Sequence, residues 1–147
     1  MAATLGYHFY PAFVDYPGST SLRFETARDL TVDVVSSLAH HGPRRFYGLN
    51  TGVSTRRPLA AAAEQLAKRG ILFTYSDFGR STDALRKELL TQARGTHADE
   101  GETSMMLYIA PDLVDLSKAV KDDGEDKPGP LSRTPEGPGT YSPTGSW

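Results

Sequence analysis

Between Arg45 and Tyr75 the chain reads as two short apolar runs joined by an alanine-rich segment, and that order restricts its topology more than any other stretch. Phe46-Tyr47-Gly48-Leu49, after Arg44-Arg45, predicts a short buried strand. A polar turn, 50–55, then leads into Arg56-Arg57-Pro58-Leu59-Ala60-Ala61-Ala62-Ala63-Glu64-Gln65-Leu66-Ala67-Lys68-Arg69. Its alanines favour helix, because they lose no side-chain entropy, and Pro58 suits a first turn. Gly70 is placed to end that helix in the left-handed conformation at C′. Ile71-Leu72-Phe73-Thr74-Tyr75 follows as a second strand. Two strands separated by a helix pair in parallel through a crossover, so the expected class is α/β, with helices on the faces of a sheet. The loops after the two strands, 50–57 and 76–81, leave from one edge, and that edge is where open α/β sheets bind ligands.

The flanking segments fit that frame. Residues 1–20 carry Tyr7, Phe9, Tyr10, Phe13 and Tyr16, interrupted by Pro11 and Pro17-Gly18, and predict irregular chain or a short strand with a turn at Pro17-Gly18. Their rings suit packing or a substrate wall. Phe24, Ala27, Leu30, Val34 and Leu38 recur at steps of three and four, which predicts an amphipathic helix with Ser21 as N-cap and Gly42-Pro43 as its end. His40 and His41 then fall where cations suit the helix dipole. A loop at 76–81 is expected before a helix over 82–93 carrying Leu85, Leu89 and Leu90, with a break at Gly95-Thr96. Leu113, Val114 and Leu116 add a last short apolar patch. Beyond Lys121 the chain turns to Gly, Pro and charge, with half of its ten prolines between Pro128 and Pro143, so 121–147 is expected to form an irregular tail.

Composition excludes several functions. The net charge is −2, with sixteen basic residues interspersed among eighteen acidic ones, and no basic face for nucleic acid emerges. No apolar run approaches the roughly 18 residues that span a bilayer, and no charged start followed by an apolar h-region opens the chain. By default the chain is expected in the cytoplasm. With no cysteine, disulfides, thiolate metal sites and cysteine nucleophiles are out.

The chemistry concentrates at 97–104, His-Ala-Asp-Glu-Gly-Glu-Thr-Ser, where one imidazole and three carboxylates fall within six residues. Imidazole exchanges protons near neutral pH, and carboxylates bind cations or steer an imidazole's tautomer, so His97, Glu100 and Glu102 are candidates for proton transfer or metal binding. The same letters also spell a capping box: Asp99 as N-cap, Glu102 three residues on, and a helix from Glu100. Both readings stand on spacing alone. A second candidate is the 50–55 loop, where Asn50, Thr51 and Ser54 precede a helix N-terminus flanked by Arg56 and Arg57, a setting that favours an anion. It has no Gly-rich nucleotide fingerprint, and the chain has no G-x-S-x-G elbow.

Three blocks resemble the creatininase (creatinine amidohydrolase) family. Pro17-Gly18-Ser19-Thr20-Ser21-Leu22 is similar to the family's F-P-G-T-x-S-L, and the strand ending at Asn50 is similar to the one entering its N-G-H-G-G-N turn. His97 to Leu107 is similar to H-A-G-E-x-E-T-S-M-M-L, the most specific of the three, and the tail's Ser142-Pro143-Thr144-Gly145-Ser146-Trp147 resembles S-P-x-G-x-W. The resemblance implies a three-layer α/β/α sandwich over 1–120 with a mainly parallel sheet, a homo-oligomer, a zinc or manganese centre, and hydrolysis of a C–N bond in a small cyclic or linear amide. It implies His97 as the catalytic acid/base and Glu102 as a carboxylate at the metal. The family's metal-binding histidine of N-G-H-G-G-N falls on Gly52, and its early block of metal ligands would precede Gly6, so an incomplete ligand set is expected. The alternative is a non-catalytic member binding a small anion at the Asn50 loop.

Overall fold

The computed structural model describes residues 4–92, 95, 97–121, 125 and 127–146. The chain divides into two compact units, Met1–Pro11 with Thr20–Thr82, and Ala12–Ser19 with Asp83–Trp147. Both helices and parallel strand pairs are present, as the α/β class requires.

The first unit contains helix α1 (Phe24–Ala39), strand β1 (Arg45–Gly48), helix α2 (Arg56–Ala67) and strand β2 (Leu72–Tyr75). β1 and β2 pair in parallel with Phe46 opposite Phe73 and Gly48 opposite Tyr75, which is the strand, helix, strand arrangement expected from the sequence. Gly70, at φ +69, ends α2 in a Schellman turn, with its N–H on the Ala67 carbonyl and the Ile71 N–H on the Leu66 carbonyl. That turn delivers Ile71 and Leu66 into one core with Val32, Val35 and Ala39 of α1, Leu59 and Ala62 of α2, and Phe73 of β2.

Three expectations are corrected here. The strand at 46–49 is half-buried rather than buried: Phe46 faces the core while Tyr47 is 67% exposed and Leu49, beyond the strand, 85%. The alternation arises because, among the described residues, the core lies on the Phe46 and Phe73 face of this two-stranded sheet. The buried stripe of α1 is Ala27, Thr31, Val32, Val35 and Ala39, with Leu38 largely outside it. The stripe is rotated from the leucine-bearing one because α1 and α2 approach through small and β-branched side chains, Ala39 and Val35 against Ala62 and its neighbours. Nor does Ser21 cap α1. Its hydroxyl accepts the Tyr10 N–H at 2.9 Å, and α1 begins behind Arg23 with no side-chain cap.

Helix α3 spans Phe78–Leu89, so most of the loop expected at 76–81 is its first turn. Asp77 makes the difference, because its carboxylate accepts the Arg80 N–H at 3.2 Å and supplies the N-terminal cap. Phe78–Thr82 belong to the first unit and Asp83–Leu89 to the second. The expected helix end at Ala93 and the break at Thr96 lie outside the described residues.

In the second unit helix α4 (Glu100–Ile109) begins at the predicted residue, with Asp99 as N-cap, and stops before Pro111. Short 3-10 turns at Pro111–Leu113 and Leu116–Lys118 follow, and Leu113 and Leu116 are exposed. The tail is mostly irregular, as expected, with one short parallel bridge between β3 (Leu131–Ser132) and β4 (Thr140–Tyr141). It packs on residues 12–19 of the same unit. The Asp15 carboxylate accepts the Arg133 N–H at 2.8 Å, and the Tyr16 hydroxyl donates to the Ser142 carbonyl at 2.6 Å.

Candidate functional site

His97 lies in the bend before α4, with its side chain 43% exposed. Its Nδ1 stands 3.7 Å from Glu102 Oε2, and its ring packs on Phe13 with centroids 4.3 Å apart and planes inclined by 49°. The distance to Glu102 exceeds a hydrogen bond. Ala98 adopts φ +49, the left-handed region that costs an alanine about 1 kcal/mol. Its N–H donates to Glu102 Oε2 at 2.7 Å, and its carbonyl accepts from the hydroxyls of Thr103 and Ser146, each at 3.4 Å.

The other two carboxylates are committed locally. Asp99, buried, accepts the Glu102 N–H at 2.8 Å through one oxygen and Arg86 Nη2 at 2.6 Å through the other. Glu100 turns back to accept the N–H groups of Gln92 at 2.6 Å and Thr91 at 2.8 Å, while its own N–H donates to Gln92 Oε1. Backbone bonds from Gln92 and Thr91 hold the Glu100 carboxyl below the usual carboxylate range, against a smaller opposing effect of burial. Of the three sequence candidates, His97 and Glu102 face each other and Glu100 faces the residues that follow α3. Gly101 is required for this packing, since a Cβ there would meet Arg86 Nη1 and, at 3.1 Å, the Leu90 side chain.

In the first unit the strand-edge loops are stitched together. Ser76 Oγ accepts the Asn50 N–H at 2.6 Å and donates to the Asn50 carbonyl at 2.7 Å, while Thr55 Oγ1 donates to Asn50 Oδ1 at 2.5 Å. Asn50 Nδ2 donates to the carbonyls of Gly52 and Ser76. Thr51 is exposed and Ser54 half-buried. Arg56 Nη1 contacts both oxygens of Asp77 at 2.9 Å, and Arg57 lies 5.9 Å over the Phe24 ring. Arg56, with help from the Arg80 N–H, holds the Asp77 carboxyl below its ordinary range. The sequence reading missed Asp77, although an Asp three residues before Arg80 is a readable cap.

No three His, Asp or Glu side chains converge among the described residues. His97 and Glu102 provide two donors, and a zinc centre takes three or four, so these residues do not fit a metal centre of the implied kind.

The chain is thus a mixed α/β one with His97 placed just before a helix capped by Asp99. The Creatininase family model, described as creatinine amidohydrolase, matches residues 1–147, and the chain belongs to that family. It is similar to the creatinine amidohydrolase of Pseudomonas putida, at 30% identity over 118 aligned residues, covering 71% of this chain and 45% of that protein. It also resembles the solved structure of a Glu-to-Gln mutant creatininase complexed with creatine, with a TM-score of 0.56 and 25% identity. That match covers 95% of this chain and 61% of the solved one. The chain thus spans less than half the length of the curated relative.

Proposed function

We propose that this chain hydrolyses a C–N bond of a small cyclic or linear amide, with His97 as the group that carries the proton. The observation behind this is a half-exposed imidazole whose Nδ1 faces Glu102, inside a segment similar to the family's most specific motif. Nε2 has no hydrogen-bond partner among the described residues and is the nitrogen available to substrate. In the proposed step water attacks the amide carbon, His97 takes the water proton, the C–N bond breaks, and the proton passes to the departing nitrogen. Creatinine is the first substrate to test, because the curated relative bears its name. Among the described residues the zinc or manganese that the family implies finds only the two donors above, and no step runs through it. Self-association into a homo-oligomer belongs to the same reading, and sedimentation of the purified chain tests it.

The decisive assay is creatinine turnover by the full chain, with and without added Zn²⁺ or Mn²⁺, beside His97→Ala. Loss of about 10²-fold or more in His97→Ala is expected; turnover unchanged by the substitution, or none in the parent chain, refutes the proposal. The alternative, anion binding at Asn50, requires Arg56 to leave Asp77, and inorganic phosphate binding measured by calorimetry with Arg56→Ala tests it.

A further inference from the structure

We propose that Glu102 is a positioning residue for His97, acting through the backbone of Ala98, and that residues 13–16 with the turn at 142–146 complete the frame. This rests on the reading of His97 as the proton carrier. Ala98 connects the imidazole to α4 in a conformation that an L-residue avoids, so its neighbours must hold it there. Glu102 holds the N–H at 2.7 Å, a shorter and charge-assisted bond, while Ser146 and Thr103 hold the carbonyl from the other side. Relaxation of Ala98 to negative φ would swing the His97 backbone and lift its ring from Phe13.

The turn that carries Ser146 is itself anchored. Ser142, fully buried, donates through its hydroxyl to the Ser146 carbonyl at 2.8 Å and accepts the Gly145 N–H at 3.0 Å. Gly145, at φ +85, lies where a Cβ would touch the Tyr16 ring at 3.2 Å, and the Tyr16 hydroxyl binds the Ser142 carbonyl. Tyr16 and Phe13 are tied by the bond from the Tyr16 N–H to the Phe13 carbonyl at 3.1 Å. One short turn therefore places Phe13 on the imidazole and Tyr16 on the segment that holds Ala98. Sequence-distant segments of one unit converge on a single ring.

The test compares Glu102→Gln with Glu102→Ala in the full chain. Glutamine keeps an oxygen for the Ala98 N–H and loses the charge; alanine loses both. The readout is the NMR shift of the His97 ring protons, displaced by the Phe13 ring current and identified by its disappearance in Phe13→Leu. The displacement should survive in Glu102→Gln and vanish in Glu102→Ala, and Tyr16→Phe should diminish it. Where creatinine is turned over, Glu102→Ala should lower kcat by about 10- to 100-fold with KM little changed, and Glu102→Gln should retain most of it. Equal behaviour of Gln and Ala, whether both keep or both lose the displacement, overturns the inference. Because the shift needs no turnover, a chain that shows the expected pattern and hydrolyses nothing removes the proposed activity while the positioning role stands.

Discussion

Asp99→Ala should destabilise the second unit by about 2 kcal/mol, from two contributions of similar size. The first is the N-cap: Asp99 Oδ1 accepts the Glu102 N–H at 2.8 Å, and removing such a cap costs about 1 kcal/mol. The second is the ion pair with Arg86. The Asp99 side chain is 3% exposed but Arg86 is 31% exposed, so water reaches the guanidinium left behind. The loss then stays near about 1 kcal/mol, rather than the several that follow when a fully buried charge is stranded. Urea denaturation followed by far-UV circular dichroism should show a midpoint lowered by about 1 M, for a slope of roughly 1.5–2 kcal/mol per M. Asp99→Asn separates the contributions, since asparagine caps as well as aspartate but cannot pair with Arg86, and should lose about half as much. A midpoint within about 0.2 M of the parent in Asp99→Ala would refute both contributions. Equal losses in the two variants would refute the cap alone.

Burial lowers the pKa of His8 below its ordinary 6.5, and its Nδ1 has no hydrogen-bond partner. The charged form is therefore disfavoured in the folded chain. The native contribution is complete above about pH 6.5 and is lost as pH falls through the depressed folded value. Stability measured between pH 7.5 and 5 should decline in the parent and flatten in His8→Gln; parallel curves would contradict the assignment. Gly70→Ala forces an L-residue to φ +69 at the end of α2 and should cost about 1 kcal/mol in thermal unfolding, with Gly70→Asn costing less. Unchanged melting in Gly70→Ala would remove the Schellman turn from the account.

What the sequence disclosed followed how local each cause is. The helix from Glu100 was readable because the Asp99 side chain accepts the N–H of Glu102 three residues on, and Gly70 was readable because only its own φ matters. The rotated stripe of α1 was not, since Leu30, Val34 and Leu38 score as well by periodicity as Val32, Val35 and Ala39. Only the close approach of α2 chooses between them. At the candidate site, the identities of His97 and Glu102 were visible but their relation was not. The positive φ of Ala98 leaves no mark in composition, and nothing near Tyr16 announces Ser142. The bends of Glu100 onto Thr91 and Gln92, and of Arg56 onto Asp77, depend on how a loop returns, which no residue pattern encodes.

The bond from Tyr16 to Ser142 spans 126 residues of sequence, whereas the β1 to β2 pairing closes over fewer than thirty. Contacts of short separation form early, because little loop entropy is spent before they are rewarded. During synthesis the first unit's strand pair can assemble once residue 75 has cleared the ribosome. The frame around His97 must wait for Ser142 to emerge. At roughly 5–20 residues per second, that leaves the His97 segment incompletely framed for several seconds after its own translation.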